Sequence, residues 1–196
     1  MRVLVACEYS GAVRDAFIAR GHDALSCDLL PSEAPGPHYQ GDVRDVLGHG
    51  WDLMIAHPPC THLAVSGARW FHLKQAEQAA ALDFVRLLLD APIPRIALEN
   101  PISIISSRIR KPDQIIQPYE HGHEATKTTC LWLKGLPHLK PSRIVGKGAR
   151  HVTRSGRSLP EWYNLPPSAD RWKIRSATFP GIAAAMADQW GAQAAR

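Results

Sequence analysis

VLVACEYSGAVRDAFIARGHDALSCD, residues 3–28, fixes the class of structure to expect. VLVAC, at 3–7, is an unbroken apolar run of the kind that forms a strand buried on both faces of a parallel sheet. Gly11 interrupts it. AVRDAFIAR, at 12–20, then has helical spacing, with Ala12, Ala16, Ile18 and Ala19 on or near one face. Arg20 and Gly21 supply a basic last turn and a glycine just past the end. HDALSCDLL follows as a second strand ending at Asp28. Strand, turn, helix and strand in such short order open a wound α/β sheet whose first two strands run parallel.

Beyond that unit, residues 31–50 are rich in Pro, Gly and His, with one short extended piece expected around Gly41, Asp42 and Val43. WDLMIAHPPC, at 51–60, reads as a strand ending in a Pro-Pro corner. Residues 74–90 (KQAEQAAALDFVRLLLD) are the clearest helix, full of Ala, Leu, Glu and Gln. RIALENP, at 95–101, is another apolar strand, and TCLWL, at 129–133, a further one. GIAAAMADQWGAQAA, at 181–195, is helical by propensity. No internal repeat is visible. The expected fold is α/β, a wound and mostly parallel sheet, with residues 1–196 as a single domain.

Composition bounds the function. The chain has 196 residues, 23 Lys and Arg against 18 Asp and Glu, and a net charge of +5. Apolar residues make up 45% and charged residues 21%, which is globular usage. No apolar run reaches the length of a membrane span, and MRVLVACEYSG does not read as a signal peptide. The four cysteines, Cys7, Cys27, Cys60 and Cys130, lie far apart without a Cys-x-x-Cys pair. That spacing excludes a disulfide scaffold and suits reduced thiols in the cytoplasm. Residues 125–160 contain no Asp or Glu but hold Lys127, Lys134, Lys140, Arg143, Lys147, Arg150, Arg154 and Arg157. The part from 134 to 160 reads as a basic loop or small insert.

In wound sheets, ligands bind outside the carboxyl ends of the strands. The residues expected there are Cys7, Glu8, Tyr9, Ser10 and Gly11 after the first strand, Asp28 after the second, and Asp42 near the third piece. His57, Pro58, Pro59 and Cys60 follow the fourth strand, and Glu99, Asn100 and Pro101 end the fifth. Polar groups and a thiol thus collect along one edge. The turn before the first helix has a single Gly11 and no Gly-x-Gly-x-x-Gly fingerprint, so an ordinary tight turn remains an alternative reading. Cys60 follows two prolines that fix its backbone, and a thiol so held acts as a nucleophile if its pKa is lowered. An inert buried cysteine is the alternative. His57, Cys60 and His62 also cluster, but the zinc deaminase pattern is absent and no metal is expected. Glu99, half buried at a strand end, is expected to have a raised pKa and to serve as an acid. His57, His62, His121 and His123 can titrate, and no spacing selects one. The six tryptophans read as core or loop anchors, any of which can stack on a base.

A thiol after Pro-Pro, followed some forty residues later by Glu-Asn on the next strand, resembles the cytosine-C5 DNA methyltransferases, whose Pro-Cys loop supplies a nucleophile and whose Glu-Asn-Val motif supplies an acid. The matching letters here are HPPCTHLAVSG and LENP. The family's Phe-x-Gly-x-Gly turn is matched in position by ACEYSGAVRDAF, with fewer glycines. The resemblance implies a Rossmann-like S-adenosylmethionine-dependent methyltransferase fold. It makes Cys60 and Glu99 catalytic, and places Glu8, Tyr9, Ser10, Gly11, Asp28, Asp42, Pro58 and Ser176 at the cofactor. Asp28 would hold the ribose and Asp42 the adenine; Ser176 or Thr178, in RSATFPGIAAAMA, would replace a cofactor-binding Asn. On the substrate side it places Pro59, Asn100, Lys127 and Thr129, the last two standing where the family's Gln-x-Arg-x-Arg strand aligns with ATKTTCLWL. Arg150, Arg154 and Arg157 would hold phosphates. The chain is similar to small phage-type relatives that lack a large target-recognition domain.

What the resemblance implies is methyl transfer from S-adenosylmethionine to C5 of cytosine in DNA, through a covalent Cys60 adduct at C6. The same chemistry on a free pyrimidine nucleotide is a second reading, motivated by the missing recognition domain. A third is an inactive methyltransferase-like domain that binds nucleic acid, motivated by the sparse glycines and the missing Arg pair. So small a recognition surface leaves room for a homodimer or a partner protein.

Overall fold

A computed structural model describes residues 1–192 of the chain. The strands are β1 (Arg2–Ala6), β2 (Asp23–Asp28), β3 (His38–Gln40), β4 (Leu53–Ala56), β5 (Ile96–Asn100), β6 (Gln114–Ile116) and β7 (Thr129–Lys134), joined in one sheet of order β3-β2-β1-β4-β5-β7-β6. From β3 across to β5 every pairing is parallel, and β7 runs antiparallel to both β5 and β6. The helices are α1 (Ala12–Ile18), α2 (Gln75–Leu89), the single turn α3 (Ile105–Arg108), α4 (Arg171–Ser176) and α5 (Pro180–Gly191). A separate antiparallel pair, β8 (Arg150–Val152) and β9 (Ser158–Pro160), lies outside the main sheet. The expected Rossmann-like, mostly parallel α/β class is the one observed.

The apolar opening run is buried on both faces, as its lack of alternation requires. Leu4 and Ala6 pack on one side with Met54, Ile96, Leu98 and Trp132, under Leu82, Val85 and Leu88 of α2. Val3 and Val5 pack on the other with Ile55, Ala97 and Leu131, under Val13 and Phe17 of α1 and Ile182, Met186 and Trp190 of α5. The buried indoles find acceptors, Trp132 donating to the Arg110 carbonyl at 2.8 Å and Trp190 to the Pro137 carbonyl at 3.0 Å, as a buried N–H requires.

β1 lies between β2 and β4, so the chain winds to one side through β2 and β3 and to the other through β4 and β5. That reversal opens a crevice beyond the carboxyl ends of β1 and β4, where such sheets hold ligands. Cys7, the first residue past β1, has φ 58°, a left-handed conformation unusual for a residue with a side chain. The chain thus turns sharply into the crevice at that point.

One expectation is corrected. The third strand is His38–Gln40 rather than 41–43, because Gly41 breaks it and Asp42 instead caps the short turn Val43–Asp45, accepting from the Arg44 N–H at 2.9 Å. The basic stretch, expected as a loop or small insert, is loop in part. It contains the β8–β9 hairpin, closed by the Gly156 N–H to the Thr153 carbonyl at 2.9 Å, with Gly156 at φ 76°. The terminal helix starts with Pro180 at its first turn and is described to Gly191; the expected continuation over 193–195 lies outside the described residues.

Candidate active site

Along the crevice lie two adjoining chambers. One, of about 160 Å³, is walled by Asp28, Leu29, Asp42, Arg44 and Phe84 among others. The second, of about 450 Å³, is walled by Glu8, Tyr9, Ser10, His57, Pro58, Cys60, Glu99, Asn100, Lys127, Tyr163, Trp172, Arg175, Ser176 and Thr178 among others. Cys7 and Pro59 line both, so the chambers meet beside the end of β1. Most of the candidates that the sequence offers therefore share one crevice: Glu8, Tyr9, Ser10, Asp28, Asp42, Pro58, Pro59, Cys60, Glu99, Asn100, Lys127, Ser176 and the alternative Thr178.

The Pro-Pro corner is rigid for a visible reason. The His57 N–H donates to the Ala6 carbonyl at 2.9 Å, continuing the β1–β4 ladder. Asn100, buried at the end of β5, donates from Nδ2 to the Pro58 carbonyl at 2.9 Å. The Cys60 carbonyl then accepts from the N–H groups of Leu63 and Ala64. Cys60 is held from both sides, and among the four cysteines it alone is exposed. Burial pushes the thiols of Cys7 and Cys27 up, that of Cys27 to about 12. Cys60, though exposed as a residue, is also shifted upward, first because the surrounding protein displaces water from about the thiol and then by the Glu99 charge, against a smaller pull from Lys127 and Arg175. The depressed thiol pKa that nucleophilic attack needs is thus absent from the resting site.

Glu99 departs from expectation in the same way. Burial pushes its carboxyl up, but a hydrogen bond from His57 and the charges of His57 and Lys127 outweigh that, and the group sits below its ordinary value. His57 Nδ1 donates to Glu99 Oε2 across 3.2 Å. An apolar strand signals the burial, but not this partner on the neighbouring strand. His57 Nε2 and Asn100 Oδ1 are buried with no hydrogen-bond partner among the described residues. Both residues line the larger chamber, and buried polar atoms require partners; a polar ligand there fits that need. Lys127 donates from Nζ to the Ala177 carbonyl at 3.2 Å and lies 5.8 Å from the Phe179 ring. Burial lowers its pKa, while Glu99 and Cys60 raise it.

Other candidates have different surroundings. Glu8 is buried; it accepts from the N–H groups of Val13 at 2.7 Å and Arg14 at 3.2 Å, and so caps α1. Gly11 has φ 78°, and a side chain there would meet the Arg14 guanidinium at 2.5 Å. Arg14 is fully buried and ties α1 to Ser26, Ser32, Ala34 and Pro35; nothing in the sequence singles it out. Thr129 is buried at the start of β7, and Thr128 lines the chamber in its place. Arg150 bonds within its own hairpin, to Ser158, and neither it nor Arg154 and Arg157 lines the cavity. Tyr163, Trp172 and Arg175 are chamber residues that the sequence does not select, since 161–176 carries no strand-end signal. Trp172 stacks at a tilt on Tyr9, 5.8 Å between centroids, and the Tyr9 hydroxyl lies 3.2 Å from that of Ser176.

Among the described residues no group of three or more His, Cys, Asp or Glu side chains is gathered to hold a metal ion. No described helix is long and apolar enough to cross a membrane.

No protein-family model and no curated protein matches the chain. Among solved structures the chain is similar to a mutant of Spodoptera frugiperda DNMT2, at TM-score 0.40 and 14% identity, over 74% of this chain and 54% of that one. It is also similar to the 16S rRNA methylase RmtB, at TM-score 0.36 and 15% identity, over 68% of this chain and 55% of that one. The chain spans about half the length of each.

Proposed function

We propose that the chain is an S-adenosylmethionine-dependent methyltransferase that modifies C5 of a cytosine in nucleic acid through Cys60. The observation that carries this reading is one chamber walled by an exposed thiol, the Glu99–His57 pair and Lys127, joined to a second chamber bearing two carboxylates. The cofactor's fit rests on that second chamber: the Asp28 and Asp42 side chains suit ribose hydroxyls and an adenine amine, and Phe84 offers an apolar surface beside them. When bound, S-adenosylmethionine supplies an electrophilic methyl group.

The chain's own groups supply the rest. Cytosine C5 is a poor nucleophile until a sulfur adds at C6. The Cys60 thiolate forms the S–C6 bond, electron density moves onto C5 and toward N3, and Glu99 donates a proton or hydrogen bond at N3 to limit that charge. The nucleophilic C5 would take the methyl carbon as its bond to the cofactor's sulfonium sulfur breaks, a neutral thioether being the leaving group; a base then removes the C5 proton, the S–C6 bond breaks to return the thiolate, and N3 gives its proton back to Glu99. Resting Cys60 is a thiol, held so by burial and by the Glu99 charge, and resting Glu99 is a carboxylate, held so by His57 and Lys127. One proton moved from sulfur to carboxyl gives both reactive forms at once. It also removes the Glu99 charge that raises the thiol, and leaves Lys127 and Arg175 to favour the thiolate. His57, holding Glu99 at Oε2, orients the carboxyl toward the base.

The test is transfer of tritiated methyl groups to cytosine-containing DNA, to RNA and to dCMP in parallel. Label at C5 of a polymer supports the reading; transfer to dCMP alone favours the free-nucleotide alternative, which the shortness of the basic segment 134–160 motivates. No transfer to any of them, with no cofactor binding by calorimetry, overturns it.

A further inference from the structure

The exposed aromatic side chains fall in a pattern the fold does not need. Trp172 is 51% exposed and Tyr163 42%, and both line the chamber that holds Cys60. Trp70, 50% exposed, belongs to the segment Val65–Leu73, whose Val65 and Ser66 line the same chamber. Each ring has a cation against it: Lys173 at 5.8 Å from Trp172, Arg175 at 5.6 Å from Tyr163 and Arg69 at 5.0 Å from Trp70. Large rings left in water beside a cavity mark a binding surface. A flat ring next to a positive charge complements a base attached to a phosphate, by stacking and by charge. The hairpin β8–β9, packed against the turn Glu161–Asn164 that carries Tyr163, adds Arg150, Arg154 and Arg157, within a stretch that has no acidic residue from 125 to 160.

Bases inside a duplex already have both faces stacked, so only unpaired bases have faces to offer such rings. We infer that the mouth of this chamber is a stacking platform for nucleotides flanking the target in a single-stranded nucleic acid, and that the substrate is an unpaired strand or loop rather than an intact duplex. This deepens the methyltransferase reading above and rests on it for the reaction, though not for the binding. Presenting the base already unpaired also avoids the extrusion that a duplex demands.

The experiment is fluorescence anisotropy with labelled single-stranded DNA of about 12 nucleotides, the matching RNA and the matching DNA duplex, without cofactor. Intrinsic tryptophan emission is followed in the same titrations. The expected result is binding of single strands about tenfold or more tighter than of duplex, with quenching of tryptophan emission. Trp172→Ala should weaken strand binding about tenfold, and Trp172→Phe less, because a smaller ring still stacks. A preference for either RNA or DNA strands supports the inference and names the polymer. Duplex binding equal to or tighter than strand binding overturns it, as does unaltered emission on saturation; both readouts use the unmodified chain, so a misfolded variant does not affect them. Strand binding without methyl transfer leaves this surface standing and removes the reaction. Methyl transfer to duplex with no single-strand preference removes this inference alone.

Discussion

The strand-end edge and the 134–178 segment are built by different means. At the edge, Cys60 and Glu99 stand at or just beyond the ends of strands whose side chains are almost wholly buried, and Asn100 and the sheet ladder clamp the corner between them. In the 134–178 segment, Tyr163, Trp172 and the hairpin arginines stand on short elements with little buried apolar surface. The first region is suited to placing reacting atoms, which tolerate little displacement. The second is suited to adapting to a polymer, where charge and stacking count more than exact position. On the function proposed above, the difference would separate chemistry from grip within one small chain, and substitutions in the two regions should fail in different ways.

The largest effect is expected at the edge. Glu99→Gln should lower methyl transfer by about a thousandfold, in the upper range for loss of a proton donor, with strand affinity nearly unchanged. Single-turnover transfer alongside anisotropy checks this; a parallel fall in affinity would merge the two regions into one. His57→Gln should lower transfer about tenfold, less than the roughly hundredfold or more expected for loss of the acid itself, and change the pH dependence of stability. In the native protein the Glu99 carboxyl lies below its ordinary 4.5. The pair's contribution is therefore complete above 4.5 and is lost as pH falls through the lower, folded value. Without His57, burial acts with less opposition and moves the carboxyl upward, so stability is then lost as pH rises past 4.5. Thermal unfolding across the acid range, from about pH 3 to about pH 6, reads the sign directly for both proteins.

A structural break of the same edge is smaller. Gly11→Ala forces a side chain into a left-handed backbone and against Arg14, at a cost of about 1–3 kcal/mol, seen as a lower unfolding midpoint. The smallest effect belongs to the second region. Replacing Arg150, Arg154 and Arg157 with Ala should flatten the dependence of strand affinity on salt by up to three charges' worth, the log–log slope becoming shallower by roughly 0.7 for each phosphate of a single strand that is no longer neutralised. An unchanged slope would mean the hairpin faces away from the bound polymer.

These two regions are unequally legible in the sequence. VLVAC, LMIA and IALEN announce themselves as buried strands, and the residues just past them are readable as site residues because wound sheets place ligands there. As candidates, Asp28, Asp42, Cys60 and Glu99 need only that rule and the Pro-Pro-Cys and Glu-Asn resemblance, whereas Ser176 needs the further likeness of RSATFPGIAAAMA. His57 is visible as a letter, but its bond to Glu99 joins residues on two strands, and no local spacing encodes it. The protonation of Glu99 is misread for that reason, since burial is legible in an apolar strand and a partner across the sheet is not. Trp172 and Tyr163 lie on short irregular elements without periodicity, where sequence carries the least structural signal. Arg14 is hidden inside a helix as an apparently ordinary surface charge.

The proposed chemistry stands or falls with a bond between the sulfur of Cys60 and C6 of the target base. That bond can be trapped by incubation with S-adenosylmethionine and an oligonucleotide carrying 5-fluorocytosine, because fluorine at C5 cannot leave as a proton. The expected product is a denaturant-stable protein–oligonucleotide species whose cross-linked peptide contains Cys60, with none formed by Cys60→Ser. A trapped species that persists in Cys60→Ser, or methyl transfer that proceeds with no adduct at residue 60, would contradict the assignment.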